Sequence, residues 1–190
     1  MRRRMMMNTK SALPKEYKEL ERILIPRYAY LNTGLSLTQD DELCLTLIYR
    51  THSYGCALFY SNNIQAGYVH SNRQIFYKFG TATGYVNISE RVKHEIKIST
   101  KGLYVDGEKV ADITTTDFAS SSVLIPSSQT GGIGINVYYG NSYYYKSFCI
   151  KNGEKIEIIP CQRISDGKIG FYITGVEQFK TSAGTAEFQI

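Results

Sequence analysis

Apolar and polar positions alternate along much of the chain, and this pattern predicts strands. The clearest case is residues 93–113, whose first segment has charged side chains on one face and mainly apolar ones on the other. Turn residues at 100–102 and 106–107 divide the stretch into three segments, which predicts an antiparallel meander with one solvated face. His94 falls on the apolar face. We interpret it as a core or edge residue, not as a ligand.

Further strands follow from the rest of the pattern. Residues 43–48 are apolar on both faces, which indicates a central strand, and alternation returns at 75–79 and 133–139. Strands recur at a spacing of about ten residues with Gly, Asn and Asp turns between them, and no helical period competes. This spacing is typical of an all-β sandwich or barrel.

The chain length of 190 residues fits one domain, because a chain of this size can bury roughly 70% of its unfolded surface. We predict an N-terminal arm and lead-in at residues 1–20 and a single β-sandwich domain at 21–190, which includes a C-terminal hairpin at 160–190. The three methionines after the N-terminal arginines are too few for the apolar region of a signal peptide, and no apolar segment is long enough to span a membrane.

The net charge of +5 is concentrated near the N-terminus. Arg2, Arg3 and Arg4 contribute three of the five charges, which leaves +2 for the rest of the chain. A nucleic-acid-binding domain needs a basic stripe on its folded surface, so we do not expect a nucleic-acid partner. The default interpretation of the arm is a flexible tail.

The chain has four cysteines, Cys44, Cys56, Cys149 and Cys161. Their spacing does not match a metal site. A hairpin of residues 43–49 with 55–60 would keep its two cysteines apart. We therefore expect four reduced, small apolar residues, as is typical of a reducing cytoplasm. A Cys149–Cys161 disulfide is the alternative.

Two blocks of sequence resemble a known family. Residues 94–110 resemble the concanavalin A-like lectin/glucanase jelly roll of the laminin-G type, through His-Glu-Ile-Lys-Ile, a Thr-Lys-Gly turn and Leu-Tyr-Val-Asp-Gly. Residues 145–172, with Ile-Pro-Cys-Gln-Arg and the later Asp-Gly turn, are similar to a variant encoded by tailed phages and prophages of gut bacteria. The resemblance covers about residues 20–188 and implies a two-sheet antiparallel jelly roll. Because Pro160 cannot donate a ladder hydrogen bond, we expect it at a strand end or a sheet edge.

The resemblance also implies a function. It indicates a non-enzymatic structural or adhesive component of a virion surface, such as a head fibre, a capsid decoration or a tail fibre, assembled in the bacterial cytoplasm. Its partners would be other virion proteins, copies of itself and host surface glycans, with no membrane partner. In this interpretation Arg2, Arg3 and Arg4 become a candidate docking arm for an acidic particle surface. The alternatives are a bacterial glycan-binding lectin module and, more weakly, a glycoside hydrolase.

Catalytic motifs are missing from the sequence. The glucanase branch of this fold needs two carboxylates a few residues apart on one strand, and no such pair occurs. There is no Gly-x-Ser-x-Gly elbow and no phosphate-binding glycine loop. We therefore expect no catalytic residue, cofactor or metal.

The candidate contact residues are Asn136, Tyr138, Asn141 and Tyr143. Aromatic faces stack on sugar CH groups, and amides hydrogen-bond sugar hydroxyls, so these residues could form a glycan patch. Tyrosines are also strong anchors of protein interfaces. We prefer the interpretation in which they alternate between the core and a protein interface.

Overall fold

The structure, a computed structural model, describes residues 13–26, 29–49, 56–69, 74–125 and 142–190. In these ranges the chain forms two antiparallel sheets and no helix. The all-β sandwich that the sequence predicts is therefore confirmed.

The strands divide into a larger and a smaller sheet. The larger sheet contains β1 Tyr17–Glu19, β2 Arg22–Ile25, β4 Glu42–Ile48, β9 Lys93–Ser99, β10 Gly102–Val105, β11 Glu108–Ala111, β13 Ser142–Tyr145, β14 Ser147–Lys151, β15 Glu154–Arg163, β16 Ile169–Ile173 and β17 Gln178–Lys180. The smaller sheet contains β3 Leu31–Asn32, β5 Cys56–Tyr60, β6 Ile64–Val69, β7 Gln74–Phe79, β8 Ala82–Asn87 and β12 Leu124–Ile125.

Strand β4 is the centre of the larger sheet. It pairs with β9 on one side and with both β13 and β14 on the other, as expected for a strand that is apolar on both faces. The conditional hairpin of 43–49 with 55–60 is wrong, because β5 lies in the smaller sheet. Two adjacent apolar strands satisfy the same local pattern whether they pair or face each other, so the pattern could not separate these cases.

The core lies between the two sheets. Side chains of β4 and β13 from one sheet and of β5 and β7 from the other form one buried apolar cluster. Two tyrosine hydroxyls bond across it: Tyr144 Oη donates to the Leu58 carbonyl at 2.9 Å, and Tyr49 Oη to the Ile88 carbonyl at 2.8 Å. These bonds satisfy the polar ends of large buried rings, which would otherwise be costly to bury.

The predicted meander is present as β9, β10 and β11. At its second turn Asp106 and Gly107 have φ values of 52° and 84°, as a two-residue hairpin turn requires. His94 is buried, with Nδ1 at 2.7 Å from Asp106 Oδ2 and Nε2 at 3.0 Å from the Ser89 carbonyl. Because both ring nitrogens have protein partners, His94 is a structural residue, in line with its interpretation from the sequence.

Strands β1 and β15–β17 form a C-terminal clasp beside the sandwich. Strand β15 pairs with β14 through Glu154–Ile158 and with β1 through Cys161–Arg163. Strand β1 lies inside the predicted lead-in, so the sheet begins before residue 21. The Tyr17 ring is 5.1 Å from that of Phe179, which joins the first and last strands of the clasp.

The expectation for Pro160 is wrong, because it lies inside β15 and pairs with Phe171 of β16. Its carbonyl accepts a 2.8 Å bond from the Leu20 amide on the opposite side. The N–H and C=O of one strand residue point the same way. An N–H at this position would therefore point to the part of β15 where the neighbouring strand changes from β14 to β1. The hydrogen bonds between β15 and β16 are not affected by its absence.

Three of the cysteines, Cys44, Cys149 and Cys161, are buried free thiols. The alternative Cys149–Cys161 disulfide is therefore not formed. Burial raises the pKa of Cys44 and Cys161 to about 12 and that of Cys149 to about 11.

Candidate functional site

The outer face of the larger sheet carries the most distinctive surface in the described part of the chain. Leucines of β4 point into the core, so alternate side chains of β4 and its neighbours point outward. Cross-strand pairing brings eight rings and cations together here, and we call them the cation–aromatic face: Arg22, Lys93, Lys97, Tyr104, Tyr143, Tyr145, Phe148 and Lys155.

Each ring on this face has a cation over it. The distances to the ring centres are 4.5 Å for Arg22 Cζ over Tyr143, 4.1 Å for Lys93 Nζ over Tyr145, 4.6 Å for Lys97 Nζ over Tyr104 and 4.7 Å for Lys155 Nζ over Phe148. Such pairs are worth about 0.5–1 kcal/mol each at exposed sites and occur about once per 70–80 residues. The structure therefore places four cations over four rings on one sheet face.

The tyrosine run of β13 divides between the two faces of the sheet. Tyr144 points inward and is buried, whereas Tyr143 and Tyr145 point outward. Tyr145 is only 7% exposed, and Arg22 Nη1 donates to its hydroxyl at 3.2 Å. The cations thus lie on the ring faces of the outward tyrosines.

An interruption between β13 and β14 shapes the centre of the face. Lys146 has no ladder partner and is exposed. The buried Ser147 hydroxyl accepts from the Thr46 amide at 3.0 Å and donates to the Tyr145 carbonyl at 3.0 Å. This side chain replaces backbone partners where the strand is interrupted, next to the exposed Lys146.

A shallow depression of about 500 Å³ lies beside the interruption. It is lined by Glu21, Thr46, Lys93, Glu95, Asp106, Tyr145 and Lys146. Asp106 is already engaged, since Oδ2 faces His94 and Oδ1 accepts from the Glu95 amide at 2.8 Å. The depression offers mixed charges and hydroxyls to a polar ligand, but its carboxylate at Asp106 serves the fold.

The next carboxylate along the face, Glu157, is held by two lysines. Lys146 Nζ lies 3.0 Å and Lys155 Nζ 3.2 Å from its oxygens. Burial by itself raises the pKa of Glu157, but the hydrogen bonds from both lysines outweigh it, so this pKa lies below its usual range. Glu157 therefore stays ionised and organises the lysines.

Only one of the predicted contact residues falls in the described ranges. Tyr143 lies on the cation–aromatic face, under Arg22. The other predicted residues, Asn136, Tyr138, Asn141, Arg2, Arg3 and Arg4, lie outside the described residues. Sequence reasoning missed the cations of the face. Alternation marks Lys93 and Lys97 as outward, but their rings come from other strands, and strand pairing is not a local signal.

Among the described residues, no group of three or more His, Cys, Asp or Glu side chains could hold a metal ion. None of these residues belongs to a helix that is long and apolar enough to span a membrane. Comparison with models of protein families and with curated proteins finds no match.

Proposed function

We propose that the protein is a non-enzymatic structural or adhesive component of a phage-type particle, and that the cation–aromatic face binds its protein partners. The particle assignment rests on the sequence resemblance. The binding surface rests on one structural observation, the four cations held over four rings on a single sheet face.

This arrangement favours a protein partner over a stacked sugar. Sugar stacking needs an open aromatic face, whereas Tyr145 is nearly buried and Tyr143 lies under Arg22. Arg22 and Lys93 are themselves exposed, so they can meet the carboxylates of a partner. A cation that already lies over a ring loses less side-chain entropy on binding than a free one, and a preorganised interface gains affinity by reducing such costs.

Two of the carboxylates near the face, Glu157 and Asp106, support a non-enzymatic role. A glycosidase acid must be protonated at neutral pH, which requires a raised pKa. Glu157 has a lowered pKa, and Asp106 is committed to His94 and the Glu95 amide.

The particle assignment is tested on particles from the bacterium that carries the gene. After density-gradient purification, quantitative mass spectrometry should find the protein at a fixed copy number per particle. Its absence from particles that contain their other structural proteins would overturn the assignment.

The face is tested by rebinding of the recombinant chain to particles assembled without it. The double variant R22E/K93E should bind at least tenfold more weakly, which corresponds to about 1.4 kcal/mol. The matched control K18E/K101E makes the same charge change at exposed lysines outside the face. Equal affinity of both variants would show that the face is not the interface.

A glycan-binding module is the second candidate, favoured by the mixed polar lining of the depression. It predicts binding on a glycan array that a variant of the lining, Lys146→Ala, loses. An array without any bound glycan would eliminate this candidate and leave the first one intact.

A further inference from the structure

Strand β8 is an outer edge of the smaller sheet, whose order is β3-β12-β5-β6-β7-β8. It pairs with β7 over six consecutive residue pairs without a register shift. No described strand pairs with its other side. Alternate residues of a strand direct their N–H and C=O groups to opposite sides, so three of its six residues present unpaired backbone groups.

The strands at the other ends of the two sheet orders are protected in recognised ways. Strand β11 carries Glu108 and Lys109, and its pairing with β10 has a register shift. Strand β17 has three residues and ends in Lys180, and β3 has only two residues. Charge, irregularity and shortness are the usual means by which proteins block edge pairing. Strand β8 has none of them, since Ala82–Asn87 contains no charged residue and no proline.

The exposed side of β8 also carries an ordered aromatic ring. Tyr85 is 54% exposed, and its ring packs edge-on against that of Phe76 with the centres 5.4 Å apart. Thr83 and Asn87 are exposed on the same face. An aromatic side chain held in place beside unpaired backbone groups adds apolar contact to any strand that pairs there.

We propose that β8 pairs antiparallel with β8 of a second copy, around a two-fold axis, so that the smaller sheets of two chains become continuous. A second copy fits because an uncharged strand meets itself without like-charge repulsion. Antiparallel pairing of identical strands is self-complementary, as a two-fold interface requires. This surface is distinct from the cation–aromatic face, so the dimer does not depend on the proposed function.

The pleat restricts the dimer to a few registers. Exposed residues must lie opposite exposed residues, because a slip of one position would turn apolar side chains outward. The central pairs are therefore Tyr85 opposite Tyr85 or Gly84 opposite Gly84 of the second copy. In the first register Thr83 lies opposite Asn87, and in the second it lies opposite Tyr85.

Sedimentation of the full chain over a wide concentration range tests the dimer. The wild-type chain should form a concentration-dependent dimer, and T83K/N87K should weaken it at least a hundredfold, because lysines on an edge repel a second copy. The control V110K adds a lysine at the exposed β11 edge and should leave the dimer unchanged. A wild-type chain that stays monomeric up to millimolar concentration, or a dimer that T83K/N87K leaves intact, would overturn the proposal.

Cross-linking gives a test that does not rely on disrupting the edge. Cα atoms of opposed residues lie about 4.5–5.5 Å apart, within disulfide range. Under mild oxidation Y85C should form a covalent dimer in the first register, and a mixture of T83C with Y85C should do so in the second. V110C and the wild-type chain are the negative controls. Failure of both cross-links in a folded chain would contradict the pairing.

Discussion

A single hydroxyl group supports the centre of the cation–aromatic face. Ser147 is buried, and its side chain satisfies the Thr46 amide on β4 and the Tyr145 carbonyl on β13. These are the backbone groups that lose their ladder partners where Lys146 interrupts the strand. Lys93 lies over the Tyr145 ring and Arg22 donates to its hydroxyl, so the positions of both cations depend on the two hydrogen bonds of Ser147.

We therefore expect Ser147→Ala to destabilise the protein by about 1–3 kcal/mol, because it leaves buried backbone groups unsatisfied. Urea unfolding followed by tyrosine fluorescence measures this change. The control Ser36→Ala removes an exposed hydroxyl and should cost less than about 0.5 kcal/mol. A Ser147→Ala variant as stable as the control would mean that water replaces the hydroxyl at no cost.

The role of a residue could be predicted from the sequence where it depends on neighbouring positions along the chain. The assignment of His94 as structural followed from its place on the apolar face of a predicted strand, and Asp106 proved to be its partner. The cation over Tyr145 could not be predicted, because Lys93 is 52 positions away and reaches the ring across β4.

At the scale of elements, turns were predictable because their chemistry is local. Asn152-Gly153 joins β14 to β15 with φ values of 52° and 80°, the geometry that Asn-Gly favours. The Pro160 expectation failed for the opposite reason. A missing N–H can be tolerated inside a strand if the neighbouring strand changes there, and that depends on β1, which is distant in sequence.

Replacement by alanine should destabilise the protein to different extents at two glycines of the β14–β16 region. Gly153→Ala meets no atom within 4 Å, so it should cost only the strain of a positive φ, about 1–2 kcal/mol. Gly170→Ala drives a methyl group into the Lys180 carbonyl and to 2.7 Å from the Phe179 ring, and should cost about 3 kcal/mol or more. Urea midpoints of the two variants measure the difference. Equal losses would mean that β17 moves away freely.

At the scale of the whole molecule, the sandwich was predictable but the assignment of strands to sheets was not. Alternation and turn spacing were sufficient to predict strands and to exclude helices. Which apolar strand faces which depends on the summed packing of the core, where β4 and β5 lie in opposite sheets. The cation–aromatic face is a product of that packing, since its members come from strands distributed along most of the chain.

The buried thiols test whether this molecule opens as one unit. Cys149 lies in the apolar core, whereas Cys161 belongs to the clasp and Cys44 to the central strand. With pKa values of about 11 to 12, only about one thiol in a thousand or fewer is ionised at pH 8. Alkylation therefore requires opening of the structure.

We expect the three thiols to react with iodoacetamide at one common rate, set by global unfolding, as residue-resolved mass spectrometry would show. The common rate is expected because the clasp shares β15 with the sandwich: its first half pairs with β14 and its second half with β1. The fully unfolded chain in urea supplies the reference rate. If Cys161 reacted ten times faster than Cys149, the clasp would open separately from the core, and the continuity of β15 would not couple them.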